Sequence, residues 1–414
     1  MRRPSFLRNV GILTLGTLFS QVVVVAALPL LTRLYGPDDF DLLAVYAALI
    51  GIFSVAACLR YNIAVPLPET DEDGFRLLVL ACGSALTVFV ALSIGVWLLG
   101  DHVAAWIGQA RFAPYLWLVP LGVLAASLYD ALQYWATRKQ RFGLITTTRM
   151  TRAVGGTGIQ LGYGLVAPAP FGLLLGHLAY SGLGVIGLGR SILRHDRLVR
   201  RGITRAELWQ TARRYKRYPL QSVPEAFLNT AGAELPIIII AAVALGPEAG
   251  FLMLAMRVMG LPMTLIGASI AQVYLAEAPH RLRAGDLVIF TRRTIGKLFV
   301  VGAPPLIAVG IAAPFLAEPL LGEGWARTGT LIAWLTPLFV LQLASSPVSM
   351  VLHIVGRVDI SLMIQAVGAA LRIGAVGGAA WLAPEFVSEA FAIAGAMFYV
   401  LYILFILHVL KRHV

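Results

Sequence analysis

The chain has 414 residues, of which 58% are hydrophobic and only 13% are charged. A soluble globular protein carries about 25% charged residues, so this chain has too few charges to cover a water-facing surface. Its high apolar content also excludes a disordered protein. The net charge of +12 is typical of membrane proteins, which concentrate basic residues in cytoplasmic loops, and no basic run suggests nucleic-acid binding. The composition therefore predicts an all-α protein that crosses a membrane several times.

Twelve segments are long and apolar enough to cross the bilayer, which takes about 20 residues in a helix. They are predicted at residues 9–32, 41–63, 76–99, 113–136, 145–166, 170–193, 218–243, 248–271, 295–317, 327–352, 359–382 and 387–410. The fifth and sixth segments are separated only by Ala167-Pro168-Ala169, which predicts a tight helical hairpin. Prolines interrupt several spans, and packed membrane helices tolerate such breaks.

The basic residues predict that both termini lie in the cytoplasm. With the N-terminus inside, all but five of the 33 Lys and Arg fall in or beside the cytoplasmic segments. The remaining five are Arg33, Arg111, Arg257, Arg327 and Arg372. This asymmetry follows the positive-inside rule and supports an even number of spans. The first apolar run continues to Leu31, which is longer than the core of a signal peptide, so we interpret it as an uncleaved span.

The spans divide into two halves of six. We predict two pseudo-symmetric six-helix bundles, residues 1–193 and 218–414, joined by a basic cytoplasmic linker at 194–217. Each half contains a Leu-Pro pair followed by a Gly-Pro-acid turn, namely Leu28-Pro29 with Gly36-Pro37-Asp38, and Leu235-Pro236 with Gly246-Pro247-Glu248. With six spans each, both halves enter the membrane in the same direction, as in one type of transporter repeat.

No catalytic motif is present in the sequence. The chain lacks a phosphate-binding loop, a zinc-protease motif and a hydrolase nucleophile elbow. The seven histidines are scattered, and Cys58 and Cys82 lie in apolar runs, so we expect neither a metal site nor a disulfide. We therefore expect no catalytic residues and no cofactor, and we expect the function to lie within the membrane spans.

Ionisable residues inside spans are costly, and they mark candidate functional sites. Five arginines are candidates to line a water-filled cavity and to bind a phosphate group through their planar fork of donors: Arg257, Arg372, Arg60, Arg149 and Arg152. Three carboxylates are candidates to bind a coupling ion: Glu225, Glu234 and Asp130. The alternative is a structural role, in which these charges pair across helices or reach the membrane interface.

Three stretches carry a family resemblance. They are residues 29–67, with the LTRLYGP turn and the LRYNIA end, residues 133–142 (QYWATRKQRF), and residues 215–273, with Tyr218-Pro219, Leu235-Pro236, Gly246-Pro247 and Leu261-Pro262. In this order and spacing they resemble the bacterial oligosaccharide flippases, which are the O-antigen or exopolysaccharide repeat-unit translocases of the multidrug/oligosaccharidyl-lipid/polysaccharide exporter superfamily. Asn62 stands where the family's pattern has a glutamate, and Glu234 stands where it has a glutamine. Twelve spans suit a repeat-unit flippase better than the lipid II flippase branch, which usually has fourteen.

The resemblance implies a fold, a substrate and a mechanism. The substrate would be an oligosaccharide on undecaprenyl diphosphate, moved from the cytoplasmic to the periplasmic leaflet of the bacterial inner membrane. The two bundles would alternate access around a cationic central cavity that shelters the diphosphate. The expected partners are this lipid-linked oligosaccharide, membrane lipid, a coupling ion (H+ or Na+) and polysaccharide polymerase partners, with no nucleic acid. Two alternatives stay open: a cation-coupled multidrug antiporter of the same superfamily, and a non-transport membrane component of a polysaccharide synthesis complex.

Overall fold

The computed structural model describes residues 6–196, 199, 203–263, 267–348, 351–354 and 358–413. Every regular element in these residues is a helix, which confirms the all-α prediction. The chain forms two compact units, Met1–Thr230 (unit 1) and Ala231–Val414 (unit 2). Residues 197, 198 and 200–202 of the predicted linker lie outside the described residues.

The described residues of unit 1 form nine α-helices and the first part of a tenth. They are α1 (Phe6–Ala26), α2 (Leu28–Leu34), α3 (Pro37–Ala57), α4 (Tyr61–Ala64), α5 (Asp71–Trp106), α6 (Leu118–Arg138), α7 (Phe142–Val166), α8 (Pro170–His195), α9 (Arg205–Arg214) and α10 (Val223–Val243), which ends in unit 2. A 3-10 turn at Ala110–Tyr115 precedes α6, and a π-helical turn at Tyr218–Ser222 precedes α10. Within the unit, α1 packs on α7, α7 on α8, and α6 on both α5 and α8.

The first helices begin and end at residues with special backbone properties. Pro29 lies in the first turn of α2, where its missing N–H costs no hydrogen bond. Gly36 precedes α3, and its N–H donates to the Asp39 carboxylate at 3.2 Å. Between α3 and α4, Leu59 and Arg60 both adopt positive φ, 47° and 59°. This conformation is uncommon for residues other than glycine, and it turns the chain sharply at Arg60.

The hairpin expected around Ala167–Ala169 is confirmed, because α7 and α8 pack along each other. Gly156 and Gly176 face each other across this contact. A Cβ added to Gly156 would lie 2.9 Å from the Gly176 carbonyl oxygen, and one added to Gly176 would lie 2.7 Å from the Gly156 oxygen. Small residues allow membrane helices to approach this closely. The contact brings the arginines of α7 beside the aromatic residues of α8.

In the part of unit 2 that the structure describes lie the end of α10 and seven further helices. They are α11 (Glu248–Pro262), α12 (Ala268–Ala284), α13 (Leu287–Leu321), α14 (Ala326–Ser345), α15 (Val351–Ile354), α16 (Val358–Leu382) and α17 (Val387–His413). Here α13 packs along α14, and α17 packs against α14 and α16. The Gly-Pro turns precede α3 and α11, as the repeat suggests. The Leu-Pro pairs differ, since Pro29 begins α2 and Pro236 lies inside α10.

Nine candidate membrane spans occur in the described part of the chain, at Gly11–Leu34, Pro37–Ala57, Asp71–Gly100, Pro170–His195, Tyr218–Val243, Leu287–Leu321, Ala326–Ser345, Leu362–Leu382 and Pro384–Leu410. They coincide with nine of the twelve predicted spans, and the chain is a multi-pass membrane protein. The other three predictions fall on α6, α7 and the α11–α12 segment. The helices α6 and α7, with 21 and 25 residues, are long enough to span but are less apolar. The count of twelve and the orientation stay predictions.

Candidate functional site

A polar cavity of about 220 Å³ lies among α1, α6, α7 and α8, within unit 1. Its lining residues are Thr17, Ser20, Gln21, Tyr129, Asp130, Gln133, Arg149, Arg152 and Tyr180. Three of the residues singled out from the sequence, Asp130, Arg149 and Arg152, are thus brought to one site. The helices α6 and α7 are less apolar than the other spans because they carry these cavity residues.

Arg152 is held between two tyrosine rings at the cavity wall. Its guanidinium carbon lies 3.7 Å from the centroid of the Tyr129 ring and 4.7 Å from that of the Tyr180 ring. Its Nε donates to the carbonyl oxygen of Tyr180. Stacking of a guanidinium on aromatic faces contributes up to about 2 kcal/mol when the group is desolvated. The rings and the carbonyl together fix the orientation of a side chain that is otherwise flexible.

Arg149 and Asp130 complete the charged part of the cavity. Arg149 lies about one turn before Arg152, and its Nη1 donates to the Thr17 hydroxyl at 2.7 Å. This is one of the five N–H donors that a guanidinium carries. Asp130, on α6, is exposed at the cavity wall and interacts electrostatically with Arg152, Arg60 and Arg149. Two guanidinium groups therefore line the cavity with one carboxylate, and Arg60 also acts on the charge of that carboxylate, so the site carries an excess of positive charge.

Arg60 is close to this cavity without lining it. It stands at the positive-φ break between α3 and α4, and its Nε is buried with no hydrogen-bond partner among the described residues. A buried donor without a partner costs about 1–3 kcal/mol. Arg60 is near enough to Asp130 to act on its charge, so the break in the helix places a third cation beside the site.

Arg372 is the most deeply buried of the candidate arginines, on α16 of unit 2. Its residue is 7% exposed, its Nε donates to the Gly368 carbonyl at 3.1 Å, and its guanidinium carbon lies 5.0 Å from the centroid of the Phe398 ring. The Nη2 atom is buried and has no hydrogen-bond partner in the described structure. A Cβ added to Gly232 would lie 3.4 Å from this atom. A buried charge without a counter-ion is costly, so this guanidinium is suited to bind an anion.

The other candidates lie apart from these two clusters of contacts. Arg257 is half-buried on α11. Glu225 lies in the first turn of α10 and Glu234 lies further along the same helix, both half-buried. Within the described residues, neither carboxylate takes part in an ion pair or a hydrogen bond. Their roles stay predictions.

The basic residues where α6 ends and α7 begins have structural partners. Arg138 donates to the Pro68 and Thr70 carbonyl oxygens, both at 2.7 Å, and these bonds stabilise the loop before α5. Arg141 forms a two-point ion pair with Asp196 at 2.7 and 2.8 Å. Burial of Asp196 opposes its ionisation, but the hydrogen bonds from Arg141 and the Trp135 indole outweigh it and hold the pKa of this carboxyl below its usual range. These contacts give Arg138 and Arg141 a structural role.

The sequence-based search missed the polar residues of α1 and the two tyrosines. Thr17, Ser20 and Gln21 have the spacing i, i+3, i+4, which places them on one face of the largely apolar helix α1. Such a row of polar residues along an apolar helix indicates that this face of the helix lines a polar cavity. Tyr129 and Tyr180 carry no such signal, because aromatic residues in membrane helices also serve as ordinary core.

Comparison with known proteins adds a family and a fold. A family model described as polysaccharide biosynthesis protein matches residues 30–329. No curated protein matches the chain significantly. The solved structure of the lipid II flippase MurJ in an inward closed conformation is 15% identical, with 95% of this chain and 86% of that chain covered and a TM-score of 0.68.

Two further structures have a similar fold. An inward-facing multidrug resistance MATE family transporter of the MOP superfamily is 15% identical over 97% of this chain and 96% of its own, with a TM-score of 0.61. A MOP superfamily transporter from Pyrococcus furiosus, described as having a binding pocket of reverse polarity, is 15% identical over 97% and 94%, with a TM-score of 0.57. At this level of identity, the likeness concerns the fold.

Proposed function

Because the chain belongs to the polysaccharide biosynthesis protein family and has the fold of MOP superfamily transporters, we propose that it is a flippase for a lipid-linked saccharide. Its substrate would be an oligosaccharide repeat unit on undecaprenyl diphosphate. It would move this lipid from the cytoplasmic to the periplasmic leaflet of the bacterial inner membrane, for O-antigen or exopolysaccharide synthesis. The fold is that of transporters rather than of enzymes.

The observation that carries this proposal is the basic cavity of unit 1. A diphosphate and its sugars cannot cross about 30 Å of hydrocarbon without a polar shelter. Arg149 uses one of its N–H donors for Thr17 within the described residues, so the others can bind a ligand. The guanidinium of Arg152 is held between the rings of Tyr129 and Tyr180. Guanidinium groups bind phosphate oxygens through two parallel hydrogen bonds, which makes arginine the best residue for this task. The amides and hydroxyls of the lining offer further hydrogen bonds to the headgroup.

The sign of the cavity's charge supports a flippase over a multidrug antiporter. Amphipathic cations are best bound by acidic pockets, whereas here Arg149 and Arg152 line the cavity with a single aspartate, and Arg60 adds a third positive charge nearby. The Pyrococcus furiosus transporter, with its pocket of reverse polarity, is a relative in fold for which a different function was suggested on the same kind of observation.

Asp130 is the carboxylate best placed to couple transport to an ion. It competes with a bound diphosphate for the same guanidinium groups, since both are anions beside Arg149 and Arg152. Binding of a proton or a cation at Asp130 would release those groups for the substrate. Glu225 and Glu234 are further candidates for coupling, and Arg257 and Arg372 are further candidates for anion binding in unit 2.

Transport would proceed by alternating access, with the polyprenyl tail remaining in lipid while the headgroup moves through polar surroundings. Structures of similar fold, multidrug resistance MATE family transporters of the MOP superfamily, were solved in an inward-facing and in an outward-facing conformation, which are the two states that alternating access requires. A polysaccharide polymerase partner would use the repeat unit after its release on the opposite side.

The test uses the purified protein in liposomes that contain a fluorescent undecaprenyl-diphosphate oligosaccharide. Movement across the bilayer is measured as the fraction of label that becomes inaccessible to an external quencher. We expect movement that depends on the protein and on the diphosphate lipid, with no movement of a fluorescent phosphatidylcholine. Transport of an amphipathic cation in place of the lipid would contradict the proposal and favour the multidrug antiporter.

A further inference from the structure

Two apolar grooves run along adjoining faces of α17 in unit 2. The first, of about 820 Å³, lies between α13 and α17, with Ile289 and Leu407 in its wall. The second, of about 460 Å³, lies between α16 and α17, with Val367 and Phe398 in its wall. Leu404 and His408 line both grooves, so the two meet there. Both volumes lie in the range of ligand sites, about 300–1,000 Å³.

The first groove has a basic rim. Arg292 and Arg293 line it together with His408, and all three side chains are exposed. Neither Arg292 nor Arg293 forms an ion pair within the described residues. Arg281, by contrast, pairs with Glu277 at 3.0 Å and with Asp286 at 2.8 Å. The rim therefore presents uncompensated positive charge beside an apolar wall.

The lengths of the helices place this rim at the depth of lipid headgroups. With 35 residues, α13 is about 50 Å long, whereas the hydrocarbon core is about 30 Å thick. Arg292 and Arg293 lie in its second turn, and His408 lies in the last two turns of α17. In the orientation predicted from the basic residues, this end of unit 2 faces the cytoplasm.

We propose that the two grooves together bind one anionic phospholipid of the cytoplasmic leaflet. Its phosphate lies at Arg292, Arg293 and His408, and one acyl chain lies in each groove. Two grooves that join at a single charged rim fit a lipid with one headgroup and two chains, whereas a polyprenyl carrier has one chain. Basic pockets between helices on the cytoplasmic side attract anionic headgroups, and burial of the chains adds apolar contact. This site is independent of the unit 1 cavity and of its substrate.

The test is a native mass spectrometry titration of the purified full-length protein with phosphatidylglycerol. We expect one tight site, and the double variant Arg292→Gln/Arg293→Gln should raise its dissociation constant roughly 30-fold, from two basic residues near the membrane surface. The matched control is Arg190→Gln/Arg194→Gln, which removes two exposed arginines from α8 of unit 1. The control should bind as the parent does. Unchanged affinity in the Arg292/Arg293 variant would overturn the proposal.

A second variant tests the shape of the site. Leu404 is 60% exposed, so Leu404→Trp should fold normally while its indole blocks the junction of the grooves and abolishes tight binding of phosphatidylglycerol. Phosphatidylcholine, undecaprenyl phosphate and inorganic phosphate serve as competitors, and each should compete weakly. If phosphatidylcholine competes as well as phosphatidylglycerol itself, the charge of the headgroup plays no role in binding. If undecaprenyl phosphate binds more tightly than phosphatidylglycerol, the grooves bind the polyprenyl carrier instead. Full competition by inorganic phosphate would leave only an anion site, so any of these three results rejects the proposal.

Discussion

Replacing Arg149 with alanine tests the unit 1 cavity with little disturbance of the fold. The side chain is half-buried and makes one hydrogen bond in the described structure, to Thr17. Loss of that bond costs about 0.5–1.5 kcal/mol, which a folded membrane protein should tolerate. Arg152→Ala is less informative, because it also removes the stacking on Tyr129 and Tyr180.

The effect on the substrate should be larger than the effect on stability. A hydrogen bond to a charged phosphate contributes about 1.5–3 kcal/mol, which corresponds to roughly a 10- to 150-fold change in affinity. Arg149→Ala should therefore slow transport by about this factor at substrate concentrations far below saturation. Arg149→Lys should recover part of the rate, because the charge remains while the planar fork is lost.

The assay is the quencher-accessibility measurement in liposomes, with initial rates compared at equal protein content. Arg190→Ala is the matched control, since it removes one exposed arginine from α8 outside the cavity. It should transport at the parent rate. A parent rate for Arg149→Ala, with an unchanged melting midpoint, would refute the role of this arginine in phosphate binding.

Three further predictions follow from other parts of the molecule. Arg372→Ala should slow transport at least about tenfold if this guanidinium binds the substrate anion. It should not lower the melting midpoint, because it removes a buried charge that forms no ion pair among the described residues. A lowered midpoint with normal transport would mean a structural role. Asp196→Asn breaks a buried ion pair and should cost up to about 3–5 kcal/mol at pH 7. Because the pKa of Asp196 is lowered in the folded state, this contribution is present above about pH 3.9 and is lost as the pH falls further. The melting midpoints of parent and variant should therefore converge as the pH is lowered. A difference between them that stays constant with pH would contradict this pH dependence. Gly176→Ala should lower the melting midpoint, since its Cβ would lie 2.7 Å from the Gly156 oxygen, whereas Gly189→Ala, in open space on the same helix, should not.

The fold class could be predicted from the sequence because apolar length is a strong signal. A family model described as polysaccharide biosynthesis protein confirms the predicted family, and solved transporters, among them one of the MOP superfamily, have a similar fold. Nine predicted spans were recovered, and the others fell on α6, α7 and the α11–α12 segment. Hydropathy separates spans from loops by their apolar content, so it is weakest for helices that line a polar cavity. The polar character of α6 and α7 is part of the candidate site.

The residues of the site were partly predictable and their arrangement was not. Asp130, Arg149 and Arg152 stand out because a charge in a span is costly, but the rotation of each helix decides which charges meet. That rotation depends on contacts such as the close approach of Gly156 and Gly176. The positive φ of Leu59 and Arg60 has no glycine to signal it, so the placement of Arg60 beside Asp130 could not be predicted from the sequence.

The central claim is that the basic cavity of unit 1 holds the diphosphate of a lipid-linked saccharide. The most direct measurement is an experimental structure of the full-length protein in a lipid nanodisc with undecaprenyl diphosphate carrying a disaccharide. The account predicts phosphate density within hydrogen-bonding distance of Arg149 and Arg152, with the Tyr129 and Tyr180 rings in place. Phosphate density away from both arginines, with the cavity empty, would contradict it.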